Sequence, residues 1–231
     1  MYLNNKINMK FEKLKDKLGD WYKPLSLRIT DDIFDEMYMA AKQYITQECY
    51  PDPNNIFRVF KETSFKDVKV VILGQDPYHD GNATGLAFDC KKLITPSMRN
   101  IMNAYNEMYP THFNTKLLDG NLSYLPEQGV MLLNTALTVE KGKPNSHKLY
   151  WEKFTLEVIK VIVLKSKPVV FLLWGAQANK YKPLILHPHK VIYSEHPVAG
   201  KYSGRPNWNH NNCFIKANEF LEGHGIQKIN W

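Results

Sequence analysis

The chain has little of what braces small secreted or metal-built folds. It carries three cysteines in 231 residues, Cys49, Cys90 and Cys213, too few and too widely spaced for a disulfide framework or a Cys-x-x-Cys metal site. A reducing compartment is implied. No stretch approaches the roughly 18 apolar residues of a membrane span, and residues 1–6 lack the apolar core of a secretion signal. A cytoplasmic protein that makes no membrane contact is expected. The one close histidine pair, His187-Pro188-His189, is interrupted by proline and has no cysteine or acid beside it, so it reads as a surface turn and no metal is expected. Nor does a Gly-x-Gly-x-x-Gly follow the first strand-like run, which leaves no ground for a dinucleotide cofactor. Repeats, low-complexity segments and linkers are missing too, so residues 1–231 read as a single domain whose first 48 residues are its helical part. Acidic residues are outnumbered by basic ones, 23 to 30, for a net charge of +7. That balance suits a polyanionic partner, although it equally describes an ordinary soluble basic protein.

What is present alternates helix with strand. Val-Lys-Val-Val-Ile-Leu over 68–73 is β-branched and nearly continuously apolar, as in a strand buried on both faces of a parallel sheet. Three similar runs follow at 130–134, 168–175 and 190–196. Helical faces are read at Phe11, Leu14, Lys15 and Leu18, and at Ile33, Met37, Ala40, Ala41 and Tyr44; further helices are expected over 97–108, 150–164 and 214–222. The fold class is α/β. Ligands of open α/β sheets bind outside the carboxyl ends of the strands, where these runs end on Gly74-Gln75-Asp76-Pro77-Tyr78-His79, Asn134-Thr135, Trp174-Gly175 and Glu195-His196-Pro197. Asp76, Tyr78, Asn134 and His196 are therefore expected in one crevice.

These motifs, with Gly85-Leu86-Ala87-Phe88, Leu137-Thr138-Val139, Tyr50-Pro51-x-Pro53, Pro96-Ser97, Ser146-His147 and Trp151, closely resemble in order and spacing the family 1 uracil-DNA glycosylases. The similarity runs from about Tyr50 to the C-terminus. It implies a three-layer αβα fold around a four-stranded parallel sheet. It further implies a monomeric, monofunctional DNA repair enzyme that flips deoxyuridine from single- or double-stranded DNA and hydrolyses its N-glycosidic bond without a cofactor. No lysine stands at a motif position where it could form a Schiff base.

By this resemblance Asp76 orients the attacking water and stabilises the cationic sugar, while His196 donates to uracil O2 as negative charge develops there. A neutral imidazole suffices for the second role, because its remaining ring proton is a donor. Asn134 offers a donor and an acceptor that match uracil O4 and N3–H and mismatch cytosine. Tyr78 would exclude the thymine methyl group, Phe88 would stack on the base, and Gln75 would contribute main-chain contacts. Backbone clamps are assigned to Pro51, Pro53, Pro96, Ser97 and His147, and to the segment after His196.

That last segment departs from the family's His-Pro-Ser-Pro-Leu-Ser. Here it reads His196-Pro197-Val198-Ala199-Gly200-Lys201-Tyr202-Ser203-Gly204-Arg205. The expectation is that Tyr202 replaces the leucine wedge and that Lys201, Ser203 and Arg205 meet phosphate. DNA-mimicking inhibitor proteins, which grip this segment in relatives, are expected to bind less tightly. The loop at 80–84 is about one residue short, with little effect expected on chemistry. Two other readings stay open: a glycosylase-like fold serving as a DNA-binding or polymerase-processivity module, and a sheet protein that binds free nucleotides.

Overall fold

The structure, a computed structural model, describes residues 13–112, 114–199 and 208–231. Its strands in chain order are β1 (Cys49–Tyr50), β2 (Val70–Gly74), β3 (Val130–Asn134), β4 (Val139–Glu140), β5 (Val170–Trp174) and β6 (Lys190–Ser194). Four of them make a parallel sheet in the order β3-β2-β5-β6, and β1 pairs antiparallel with β4 as a short separate ribbon. Strands β2, β3 and β5 are buried at every position, as apolar runs with no solvent-facing residues require. At the sheet edge β6 exposes Lys190 and Tyr193. The register sets Gly74 beside Asn134, Leu73 beside Leu173 and Trp174 beside Ser194. All four strands therefore end at one level, and the loops that begin at Gln75, Thr135, Gly175 and Glu195 leave from the same edge.

The longer helices are α1 (Asp31–Thr46), α2 (Pro96–Met108), α3 (Lys148–Val163) and α4 (Cys213–Gly223). Strand side chains alternate between faces. Ile72, Leu132 and Trp174 meet Ile101 and Tyr105 of α2 and Phe214 of α4. The alternate residues Val71, Leu73, Met131 and Leu133 are equally buried, and α1 packs against α3. Trp151, Phe154, Val158 and Ile162 form the inner side of α3, as expected, and Phe57 and Phe60 pack edge-on to Phe154. Helix α2 begins where Thr95-Pro96 signals it. Thr95 Oγ1 accepts the Met98 N–H at 3.2 Å, and Pro96 stands at the first position, where its missing N–H costs nothing.

Several expectations are corrected. The helical N-terminal part is broken into Lys15–Leu18, Tyr22–Ser26 and α1, because Gly19 turns the chain at φ +54° and extended backbone precedes Asp31. Lys15 and Ala41 are exposed, while Phe11 lies outside the described residues. Val68 precedes β2 rather than starting it, and Glu195, His196 and Pro197 have left β6. The His187-Pro188-His189 turn is only half on the surface. His189 is buried, its Nδ1 accepting the Val169 N–H at 3.1 Å and its Nε2 lying 2.8 Å from Val163 O, so it ties the end of α3 to the start of β5.

Candidate active site

Gly74 ends β2 because nothing larger fits. A Cβ there would stand 2.2 Å from Asn134 Oδ1 and 2.9 Å from Ala87 Cβ, so the bare backbone is what lets the Asn134 side chain lie across the strand end. The neighbouring loops are laced together. Gln75 O accepts from Thr135 Oγ1 at 2.7 Å and from Ala136 N at 2.9 Å, and Leu132 O accepts from Ala87 N at 3.0 Å. Gly175 does for His196 what Gly74 does for Asn134. Its φ of +89° suits glycine, and a Cβ would sit 2.9 Å from His196 Cβ.

The outcome is a cleft of about 370 Å³ whose lining includes Gln75, Asp76, Tyr78, Phe88, Asn134 and His196. All six residues expected around the base are therefore brought together from three strand ends and the 85–88 loop. Asp76 is half-buried. Its Oδ2 accepts the Asn145 N–H at 2.7 Å and its Oδ1 accepts from Gln75 Nε2 at 3.3 Å, which fixes the carboxylate while leaving lone pairs for a water. Burial pulls the His196 imidazole below its ordinary pKa, favouring the neutral ring. His196 Nδ1 accepts the Val198 N–H at 3.3 Å, so the ring proton belongs on Nε2 as a donor. The loop itself is held by Asn100 Nδ2, which donates to Pro197 O at 2.6 Å.

Asn134 is 6% exposed, and its amide makes no hydrogen bond among the described residues. The amide opens onto the cleft, where its donor and acceptor are available to a ligand. Phe88 holds a positive φ of 65°, a conformation that costs a non-glycine residue about 1–3 kcal/mol and is characteristic of functional positions. Its ring packs 5.1 Å from Trp174 and 6.1 Å from His196. Tyr78 is held upright by Thr95 Oγ1, 2.8 Å from its hydroxyl, and burial pushes its phenol well above the usual value, so it remains protonated.

The expected rim residues are placed less uniformly. Ser97 lines the cleft, and Pro96 and Pro53 are exposed. Pro51 is buried, with its carbonyl accepting from Tyr44 Oη at 2.8 Å. His147 is 3% exposed and shares a 2.8 Å hydrogen bond from Nδ1 to Thr138 Oγ1, so in this conformation its ring props the loop. Lys201, Tyr202, Ser203 and Arg205 lie outside the described residues. Sequence reasoning missed Asn145, whose main chain holds Asp76, and Thr95, which holds Tyr78. For Asn145 the available signal was the Pro144-Asn145 turn, since its φ of 65° is one that asparagine tolerates. No group of metal-ligating side chains occurs among the described residues.

Comparison with known proteins gives a family. A profile described as the Uracil DNA glycosylase superfamily matches residues 60–222. Uracil-DNA glycosylase 2 of Listeria monocytogenes is 43% identical over 197 residues, covering 82% of this chain and 85% of its own. The uracil-DNA glycosylase of Bacillus licheniformis is 38% identical over 229 residues, covering 94% and 98%. Among solved structures, a mimivirus UNG variant in complex with UGI superposes with a TM-score of 0.84 at 24% identity, covering 94% of this chain and 90% of that one. At that identity the likeness speaks for the fold.

Proposed function

The chain belongs to the uracil-DNA glycosylase superfamily, and on that premise we propose how its cleft works. The enzyme is a hydrolase of N-glycosyl bonds that excises uracil from DNA, the opening step of base excision repair. The observation that carries the residue assignment is the convergence of Asp76, Tyr78, Phe88, Asn134 and His196 on one cleft, with the Asn134 amide unpartnered among the described residues.

A base inside a duplex cannot reach this cleft, so the nucleotide leaves the stack first. Uracil O4 and N3–H then satisfy the Asn134 amide, the Phe88 ring lies against the base, and Tyr78 closes the space at C5. The bond from C1′ to N1 breaks with its electron pair passing to uracil. Positive charge on the sugar develops near the Asp76 carboxylate, and negative charge on O2 near His196 Nε2–H; both groups are preorganised, so little reorganisation is needed as charge separates. Water held by Asp76 adds at C1′ and gives up one proton, which balances the charge on the departing uracil, leaving an abasic site. Pro51, Pro53, Pro96, Ser97 and His147, together with Lys201, Tyr202, Ser203 and Arg205, make up the rest of the DNA contact in this reading. The enzyme acts as a monomer on single- and double-stranded DNA. A DNA-mimicking inhibitor protein competes for the same cleft.

The test is cleavage of a labelled oligonucleotide carrying one uracil, single-stranded or paired with guanine, with alkali used to expose abasic sites. Asp76→Asn should retain DNA binding and lose uracil release by a factor on the order of 10²–10³. Undiminished release by that variant would remove Asp76 from the chemistry. Binding without release by the unaltered enzyme would instead indicate a DNA-binding module.

A further inference from the structure

Two exposed apolar side chains stand out in the loop that leads into the cleft wall at Ser97. Leu93 is 69% exposed and Ile94 37%, and they follow Lys91 and Lys92, which are exposed and meet no carboxylate among the described residues. The tip is held from beneath. Asn82, itself 3% exposed, accepts from the main-chain N–H groups of Lys91, Lys92 and Leu93 at 3.0, 2.8 and 3.2 Å, and its Nδ2 donates to Leu93 O at 2.6 Å. One buried amide thus binds four backbone groups of an exposed loop. Ordering of this kind removes much of the entropy that a loop would otherwise lose on binding.

The tip also runs directly into the catalytic wall. Thr95 fixes the Tyr78 hydroxyl and caps α2, and Ser97 lines the cleft. A rigid apolar point preceded by two exposed lysines and continuous in sequence with the wall of a cleft that takes an extruded nucleotide suits a surface where stacked bases and phosphates lie side by side.

We propose that Leu93 is an apolar wedge for duplex DNA, set against a nucleotide flanking the extruded uridine, with Lys91 and Lys92 on the adjoining phosphates. The inference rests on the excision reading above. Extrusion exposes the faces of neighbouring bases, and an apolar side chain that covers them stabilises the opened duplex. Single-stranded DNA has no such stack to hold open. Leu93 therefore acts on the choice between substrates rather than on bond cleavage.

The experiment measures kcat/KM for uracil release from one oligonucleotide as a single strand and as a duplex with uracil opposite adenine, for the unaltered enzyme, Leu93→Ala, Leu93→Met and Leu27→Ala. Leu27 is 88% exposed on a short loop between helices and serves as the control for removal of a surface leucine. Leu93→Ala should lower the duplex-to-single-strand ratio about tenfold, the equivalent of re-exposing one leucine-sized side chain. Leu93→Met should restore the ratio, and Leu27→Ala should leave it unchanged. Because the readout is a ratio within one preparation, a partly misfolded sample shifts both rates together. An unchanged ratio in Leu93→Ala, or an equal fall in Leu27→Ala, overturns the wedge. Failure of the unaltered enzyme to release uracil from either substrate would overturn the excision reading, and the wedge with it.

Discussion

Replacing Gly74 with alanine isolates the contribution of Asn134. The new Cβ would lie 2.2 Å from Asn134 Oδ1, where real Cβ atoms keep at least about 3.0 Å, so the amide must retreat by about 0.8 Å or swing out of the cleft. Gly74 is absent from the positive-φ glycines, so alanine meets no backbone strain and recovers about 0.5–1 kcal/mol relative to glycine in a strand. Crowding against Ala87 costs about 1–3 kcal/mol in the other direction. The net loss of stability is at most about 2.5 kcal/mol. Catalysis should suffer more, because misplacing a recognition group by roughly 1 Å can cost about 10²-fold in rate. Steady-state uracil release and urea unfolding of the same preparations separate the two effects. The expected result is a kcat/KM about a hundredfold lower with a shift in unfolding midpoint that accounts for no more than the stated loss. Asn134→Ala should be no worse when combined with Gly74→Ala than alone, since both remove the same contact. Activity of Gly74→Ala within about twofold of the unaltered enzyme, or fully additive losses, would refute the claim that this glycine exists to seat the amide.

Acid should destabilise the fold through its buried imidazoles. Burial lowers the pKa of His196 and His147 below 6.5, the nearby Glu140 opposing the shift at His147. Between the ordinary value and the lowered ones the unfolded chain binds more protons, so stability is complete above about pH 6.5 and falls as pH drops through the lowered values. Urea midpoints recorded from about pH 8 to pH 5 should show this fall, and His196→Asn should flatten it; identical slopes would exclude His196 as a source. Thr138 makes a structural prediction. Its Oγ1 accepts from the buried Trp151 Nε1 at 2.7 Å while bonding His147 at 2.8 Å, so Thr138→Val strands an indole N–H and should cost about 1–3 kcal/mol in chemical denaturation. A loss below about 0.5 kcal/mol would mean that the indole finds another partner.

The sheet was legible because strands buried on both faces have almost no freedom in composition: β2, β3 and β5 read as unbroken apolar runs, and their ends fall within two residues of expectation. The site was legible for a related reason. Asp76, Asn134 and His196 each follow such a run directly, so locating the strands located the side chains. Short polar loops carry no comparable signal. Asn145 holds Asp76 through its backbone N–H, a group every non-proline residue has, and only the left-handed φ of that position restricts which residue can serve.

His189 and His147 show the limit in a different way. His189 was read as part of a surface turn and His147 as a backbone clamp, and each is buried with Nδ1 satisfied, one by Val169 N and the other by Thr138 Oγ1. Burial of a neutral histidine depends on partners 9 to 26 positions away, and a local pattern cannot report them. His196 obeys the same physics with one difference. Its Nδ1 is likewise committed, to Val198 N, but the ring lines the cleft and Nε2 is left with its proton and no partner among the described residues. In His189 and His147 burial and the Nδ1 bond hold a loop in place; in His196 burial and the Nδ1 bond together keep a neutral donor ready for charge that appears only when the glycosidic bond breaks.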